Sequence, residues 1–372
     1  MASDRVAIVA SAQTELRPAW SDAQHIDLIS AVVTSVFKGT GLTLADVDFV
    51  IDSGSDVLDG RSISNCGFLG ALGAHHKEEA RVEEDGLWAA LYGVNKIRSG
   101  ASSVGLIVAY SKPSESSVDA YWESQCEPFY QRPVGFGQRA ALGIQAQRYF
   151  AEHGVTSEAL ADLVAARWAA ARQHGSVAMG DAPDATAILA SADAALPLKQ
   201  MMLARPVDGA VAVLIAREDI ARRSNQAAPV VTGMGTSMDR HAFAARTAGR
   251  LESCEIAAAM AYKRAGWDAQ SADLAEVSGA SAIGELLAIE ALGLAPAGGG
   301  LGATRGGKTR INVSGGALPA DPIMATGLIR LAHAARQLAV PASYGLGKPE
   351  RAVVHGSGGV GMQNNCVFTL EV

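Results

Sequence analysis

Residues Arg81-Val82-Glu83-Glu84-Asp85-Gly86 run straight into Leu87-Trp88-Ala89-Ala90-Leu91-Tyr92-Gly93-Val94-Asn95-Lys96-Ile97-Arg98-Ser99-Gly100, and the fold is decided there. The first residues read as a short extended segment closed by an acidic turn. Leu87, Leu91, Val94 and Ile97 recur at helical spacing, and Gly100 stands where a C-terminal cap belongs. Three carboxylates just before the first turn complement the positive end of the helix dipole. Behind the helix, Val104-Gly105-Leu106-Ile107-Val108-Ala109-Tyr110 is a continuous apolar run, typical of a strand covered on both faces. Strand, helix and strand in this order predict a parallel crossover.

Upstream, residues 6–10 and 47–51 read as strands, and residues 26–37 as an amphipathic helix stopped by Gly39. His75 and His76 stand side by side without a carboxylate or cysteine at ligand spacing, so solvated histidines are favoured over a metal site. Downstream, residues 111–137 are rich in Ser, Pro, Gly and aromatics, among them Tyr121, Trp122, Phe129, Tyr130 and Phe136. So long a loop in a compact protein is a lid, a binding loop or a contact with a partner. Two helices follow at 140–153 and 157–174, the second capped by Thr156 or Ser157, and then a buried strand at 210–216. The polar stretch 220–228 marks a boundary, after which the same alternation of strands and helices restarts and runs to residue 370. The repetition is architectural, with no residue-level period.

The 372 residues exceed one ordinary core, so two or more subdomains are expected. Apolar content of 49% with 19% charge indicates a compact chain, and a net charge of −7 without basic runs argues against a nucleic-acid partner. The four cysteines, Cys66, Cys126, Cys254 and Cys366, are scattered, which fits neither a zinc site nor a disulfide framework. The N-terminus lacks a signal-peptide pattern and no apolar stretch reaches membrane-spanning length, so a cytoplasmic protein is expected.

Four stretches in order resemble the thiolase superfamily, especially the sterol-carrier-protein thiolases and the related lipid-transfer, or side-chain aldolase, subunits. Arg205-Pro206-Val207-Asp208-Gly209-Ala210 is similar to the family's Pro-x-x-Asp-Gly-Ala strand. Gly284-Glu285-Leu286 through Gly293-Leu294 resembles the helix after its His-Asp-Cys-Phe segment. Asn312-Val313-Ser314-Gly315-Gly316 followed by Ala325-Thr326-Gly327 resembles Asn-x-x-Gly-Gly and Ala-Thr-Gly, and His355–Gly361 its C-terminal glycine-rich loop. The resemblance implies an α/β fold with a duplicated αβαβα five-layer architecture, built on two mixed five-stranded sheets. It implies a half at 1–225 carrying an inserted loop domain at about 111–205, and a second half at 226–372. It further implies a homodimer, an acyl-CoA thioester substrate without metal or nucleotide redox cofactor, and the possibility of a small OB-fold, zinc-ribbon partner subunit. Gly315, Gly316, Gly358 and Gly359 are the corresponding coenzyme-A-binding positions.

The chemical positions depart from the family. Glu83 falls where the acyl-accepting cysteine belongs, Ser278 on the first histidine, Asp321 on the nucleophile-activating histidine and His355 on the second cysteine. A thiolase needs a thiolate for its covalent acyl intermediate, and a carboxylate there gives an energetic anhydride. Non-covalent acid–base chemistry remains open if Glu83, Asp321 and His355 converge, with backbone amides near Glu83 and Gly356–Gly359 as oxyanion donors. Retro-aldol cleavage of a β-hydroxyacyl-CoA is the leading expectation. The related aldolases place tyrosines near two of these positions, where this chain has Ser278 and Asp321. Two alternatives stay open: a thiolase-type acyltransferase with a relocated nucleophile such as Cys66 or Cys126, and a catalytically silent subunit of a hetero-oligomer.

Overall fold

The computed structural model describes residues 5–174, 177, 180–224 and 227–372. Ten strands form one sheet: β1 (Val6–Gln13), β2 (Phe49–Ser53), β3 (Glu78–Val82), β4 (Val104–Ser111), β5 (Gly209–Arg217), β6 (Val230–Met238), β7 (Leu274–Val277), β8 (Arg310–Ile311), β9 (Arg351–Gly358) and β10 (Asn364–Glu371). Their spatial order is β8-β7-β9-β10-β6-β1-β5-β4-β2-β3. Taken as two sets of five, both halves have the order third, second, fourth, fifth, first. In both, the second strand lies parallel to its two neighbours and the fifth antiparallel to its own. The duplication expected from the alternation is therefore present strand for strand. The two five-stranded sheets are joined by a short antiparallel ladder, Val6 opposite Val231 and Ala7 opposite Val230.

Three apolar cores give the layering. The helix α1 (His25–Val36) buries Leu28, Ile29, Val32 and Val33 against the outer face of the first sheet. Between the sheets lie α2 (Gly86–Arg98) and α7 (Thr326–Ala339), whose Leu87, Val94, Leu328 and Leu331 share one core with both sheets. The outer face of the second sheet is covered by α5 (Glu252–Ala265) and α6 (Ala282–Ala291). Helices α3 (Gln138–His153) and α4 (Ser157–Gln173), from the long segment before β5, join that third core. Helix, sheet, helix, sheet, helix is the resulting stack.

Local rules explain most element ends. The helix α2 ends at Arg98, and Gly100 takes φ +80° with its N–H on the Ile97 carbonyl. Thr156 caps α4 by accepting from Ala159 N–H. The expected loop at 111–137 contains a short helix, Val118–Ser124, capped by Ser117, which the aromatic-rich composition concealed. The polar 220–228 stretch begins inside another short helix, Glu218–Ser224, and its residues 225 and 226 lie outside the described residues. His75 and His76 are exposed, and among the described residues no group of three or more His, Cys, Asp or Glu is placed to hold a metal ion. No helix among the described residues is long and apolar enough to cross a membrane.

One carboxylate ties the central layer together. Asp85 is the N-cap of α2, its Oδ1 accepting from Leu87 N–H at 2.9 Å, while Oδ2 accepts from Gly327 N–H at 2.7 Å in the first turn of α7. Burial pushes this carboxyl up to about 8 against the pull of both amides, and the neighbouring Glu84 and Asp321 push the same way. Burial also raises Asp52 to about 7, against the opposing effect of Arg81 2.9 Å away. Replacing Asp85 by Ala leaves two buried N–H groups unpaired, so a loss of about 2–5 kcal/mol is expected in denaturant unfolding. Both carboxyls hold protons in the folded chain that the unfolded chain releases near its ordinary carboxylate range. Their contribution is complete below about pH 4 and is lost as pH rises through about 7 to 8. The share of the unfolding free energy that these two carboxyls carry should therefore decline between about pH 5 and about pH 8. Asp85→Asn should flatten that decline, and an unchanged slope in this variant would remove Asp85 as its source.

Candidate active site

A cleft of about 600 Å³ opens between the segment preceding β5 and the glycine-rich turns of the second half. One wall comes from the Val118–Ser124 helix, the start of α3 and the return segment around Ala204 and Pro206. The other comes from Ser278–Ala280 after β7, from Ala317 to Thr326 ahead of and into α7, and from Ser357–Gly359 at the end of β9. These turns lie at the carboxyl ends of β7 and β9, neighbouring parallel strands, where open α/β sheets bind ligands.

Asp321 lines this cleft and is fixed from two sides. Its N–H donates to the Arg205 carbonyl at 2.8 Å, and Val207 N–H donates to its own carbonyl at 3.2 Å. Its Oδ1 accepts from Thr326 Oγ1 at 2.5 Å. Burial lifts its carboxyl to about 6, with the Thr326 hydroxyl and the Arg330 guanidinium opposing. A carboxyl in that range exchanges protons near neutral pH. Ser278 also lines the cleft, only 3% exposed, and its Oγ has no hydrogen-bond partner in the protein.

Glu83, Asp321 and His355, expected to converge, do not. Glu83 lies half-exposed on the far side of its turn, where its carboxylate accepts from Arg81 Nε at 3.0 Å and from Asp56 N–H at 2.5 Å. The physical reason is local: Arg81 and the Asp56 amide hold the side chain toward the 54–77 segment, away from the glycine turns. His355 is fully buried inside β9, its Nε2 2.8 Å from Asn365 Oδ1, and burial lowers its ring to about 4. Its main-chain carbonyl accepts from Ser278 N–H at 3.2 Å, so it underlies the cleft floor and does not line it.

The four glycines divide in the same way. Gly358 and Gly359 line the cleft. Gly315 and Gly316, at φ +100° and +70°, form a turn against α4 and Asn312, one residue short of the lining Ala317. Asn312 itself is structural, its side-chain oxygen accepting from Val277 N–H at 2.7 Å at the end of β7.

Two features were not legible residue by residue. Glu84, next to Glu83, turns inward, where its carboxylate accepts from Asn364 Nδ2 at 2.6 Å and packs against Gly358. Burial raises its proton affinity, and it stands with Asp321 among the carboxylates that raise buried Tyr121. The signal was the alternation of side chains at the end of β3, which sends successive residues to opposite sides. The second feature is a pair of glutamines seven residues apart on α3, Gln138 accepting from Gly361 N–H at 2.7 Å and Gln145 donating to the Gly361 carbonyl at 3.0 Å. Two helical turns apart, they share one face and clamp the C-terminal glycine loop to the wall opposite. None of the four cysteines lines the cleft, so the alternative of a nucleophile relocated to Cys66 or Cys126 finds no support there. Cys66 is exposed on a remote turn, and Cys126, Cys254 and Cys366 are buried, with burial raising each of these three thiols.

Residues 235–370 match the family model described as Thiolase C-terminal domain-like. The chain is similar to benzoylsuccinyl-CoA thiolase subunit BbsB of Thauera aromatica, 28% identical over 203 residues, or 52% of this chain and 53% of that relative. It thus spans about half the length of that relative. It is 26% identical over 364 residues to acetyl-CoA acetyltransferase of Methanothermobacter thermautotrophicus, 90% of each chain. Among solved structures it superposes on an Ltp2-ChsH2(DUF35) aldolase with TM-score 0.84, 17% identity and coverage of 100% of this chain and 99% of that one. It superposes on human mitochondrial 3-ketoacyl-CoA thiolase with TM-score 0.75, 17% identity and coverage of 99% and 98%. The duplicated five-layer fold is the one these solved structures share, and residues 235–370 match the Thiolase C-terminal domain-like model.

Proposed function

We propose that the chain makes or breaks a carbon–carbon bond beside a coenzyme-A thioester, without a cysteine acyl intermediate, in the retro-aldol or aldol direction. The observation that supports this most is the cleft itself. It presents a carboxyl of raised proton affinity, Asp321, and an unpartnered hydroxyl, Ser278, and no thiol. In the cleavage direction Asp321 takes the proton of the β-hydroxyl. The Cα–Cβ bond then breaks, its electron pair passing into the thioester as an enolate while the β-carbon becomes a carbonyl. The same carboxyl returns the proton to Cα. No oxidant, reductant or water is consumed. The Ser278 hydroxyl and the Ser357–Gly359 backbone are the groups we assign to the thioester oxygen, where charge develops. The superposition on an aldolase agrees with this reading at the level of fold.

We read residues 1–225 and 226–372 as the two halves, with 111–205 as the insert that closes the cleft. An assembly is part of the proposal. The aldolase neighbour is a complex with a DUF35 subunit and the Thauera relative is named as a subunit, so we propose a homodimer that also accepts a small partner protein. A second reading is a silent acyl-CoA-binding subunit, favoured by the absence of Glu83 and His355 from the cleft lining.

Asp321→Asn separates the readings. With the proposed chemistry, turnover of a β-hydroxyacyl-CoA falls by about 10²–10⁴-fold, the ordinary worth of a general base, while binding of the thioester persists. Because ionised Asp321 accepts the first proton, wild-type kcat/KM should fall as pH drops below about 6, the value to which burial lifts this carboxyl. Full turnover in the variant would refute the assignment. Mass spectrometry of the protein quenched during turnover should show unmodified cysteines, and an acyl adduct on any of them would favour the thiolase-type mechanism instead.

A further inference from the structure

The short helix Val118–Ser124 lends one face to the cleft, and its lining residues fall in two stripes one turn long. Val118 and Trp122 form an apolar stripe that packs with Ile323, two residues from Asp321. Asp119 and Glu123 form an acidic stripe beside it, both exposed on the side of residues 135–139. Glu123 also lines a smaller hollow with Arg132 and Phe136, which places it at the outer end. One cation lines the cleft, Arg139, more than half exposed and 3.7 Å from Asp119. Arg205, between the lining residues Ala204 and Pro206, carries its guanidinium 5.9 Å over the Trp168 ring instead. Among the described residues, three carboxylates, Asp119, Glu123 and Asp321, thus line the cleft with one guanidinium, which already has a partner. That the cleft receives a ligand is indicated independently by the unpartnered Ser278 hydroxyl, 3% exposed, on its floor.

We infer that this site selects an electrically neutral, apolar acyl group and rejects acyl chains that carry a carboxylate away from the thioester. The inference rests on the proposed acyl-CoA reading of the same cleft. An apolar chain leaving Asp321 passes along Val118, Trp122 and Ile323 and gains by burial. A chain ending in a carboxylate must bring a further negative charge against Asp119 and Glu123, with no free cation among the lining residues to meet it. Like-charge juxtaposition of this kind is a repulsive device of specificity. The inference places the acyl chain, and not the pantetheine arm, on the Val118–Ser124 side of the cleft.

The test is binding calorimetry with two non-cleavable thioether analogues of acyl-CoA, matched in chain length and ending in methyl or in carboxylate. The wild-type protein should bind the methyl analogue about tenfold or more tightly over the carboxylate one at low salt, as expected for two partly screened charges. That ratio should shrink with added salt. In the Asp119→Asn, Glu123→Gln double variant it should fall by about five- to tenfold at low salt, on the same electrostatic grounds. Both analogues binding alike, or a ratio untouched by the double variant, overturns the inference while leaving the acyl-CoA reading in place. Binding of neither analogue refutes that reading and the inference with it.

Discussion

Two helices begin at one carboxylate. Asp85 accepts from the second residue of α2 with one oxygen and from the second residue of α7 with the other. Since α2 belongs to the first half of the duplication and α7 to the second, this contact fixes the two copies relative to each other at the centre of the molecule. The positive ends of both helix dipoles point at it, which is the arrangement that favours a buried acid. Burial works in the opposite direction and dominates its proton affinity. The surrounding glycines follow from the crowding: a side chain on Gly327 or Gly356 would press on the same carboxylate. The Ala-Thr-Gly motif is thus a packing requirement of the joint, whatever the chemistry nearby.

The cleft depends on that joint. Asp321 and Thr326 belong to the approach to α7, and Ser357–Gly359 continue the strand whose Gly356 packs on Asp85. Fixing the start of α7 against α2 therefore sets the distance between the carboxyl and the glycine turn. The opposite wall is attached separately. Asp208, fully buried, accepts from Trp20 N–H and from the backbone and hydroxyl of Ser114, anchoring both ends of the long 111–205 segment. Gln138 and Gln145 then clamp α3 to Gly361. Two independent anchorages hold the insert over the site, and neither uses a charged pair exposed to solvent screening.

Alternation of buried strands with capped helices carried the architecture, because burial on both faces and helix stops are written locally in residues such as 104–110 and Gly100. The duplication was legible only as grammar. The matching strand order depends on which strands pair, and pairing is a long-range property. Of the residues marked by resemblance, Asp321, Ser278, Gly358 and Gly359 line the cleft. Glu83 and Glu84 were not separable that way. Which of two adjacent acids faces inward depends on partners far off in sequence: Arg81 and Asp56 capture one, and Asn364 captures the other. His355 occupies a chemical position in sequence register, yet its ring is turned to Asn365 in the interior.

Glu84 fills the space behind Gly358 and holds Asn364, so its carboxylate supports the glycine turn from beneath while Asp321 faces the cleft from the other side. Both acids are raised by burial, and both stand close enough to Tyr121 to raise its phenol as well. Both also act on Asp85, whose carboxyl each helps to raise. A proton on Asp321 therefore relieves repulsion at Asp85, the carboxylate on which the joint is built.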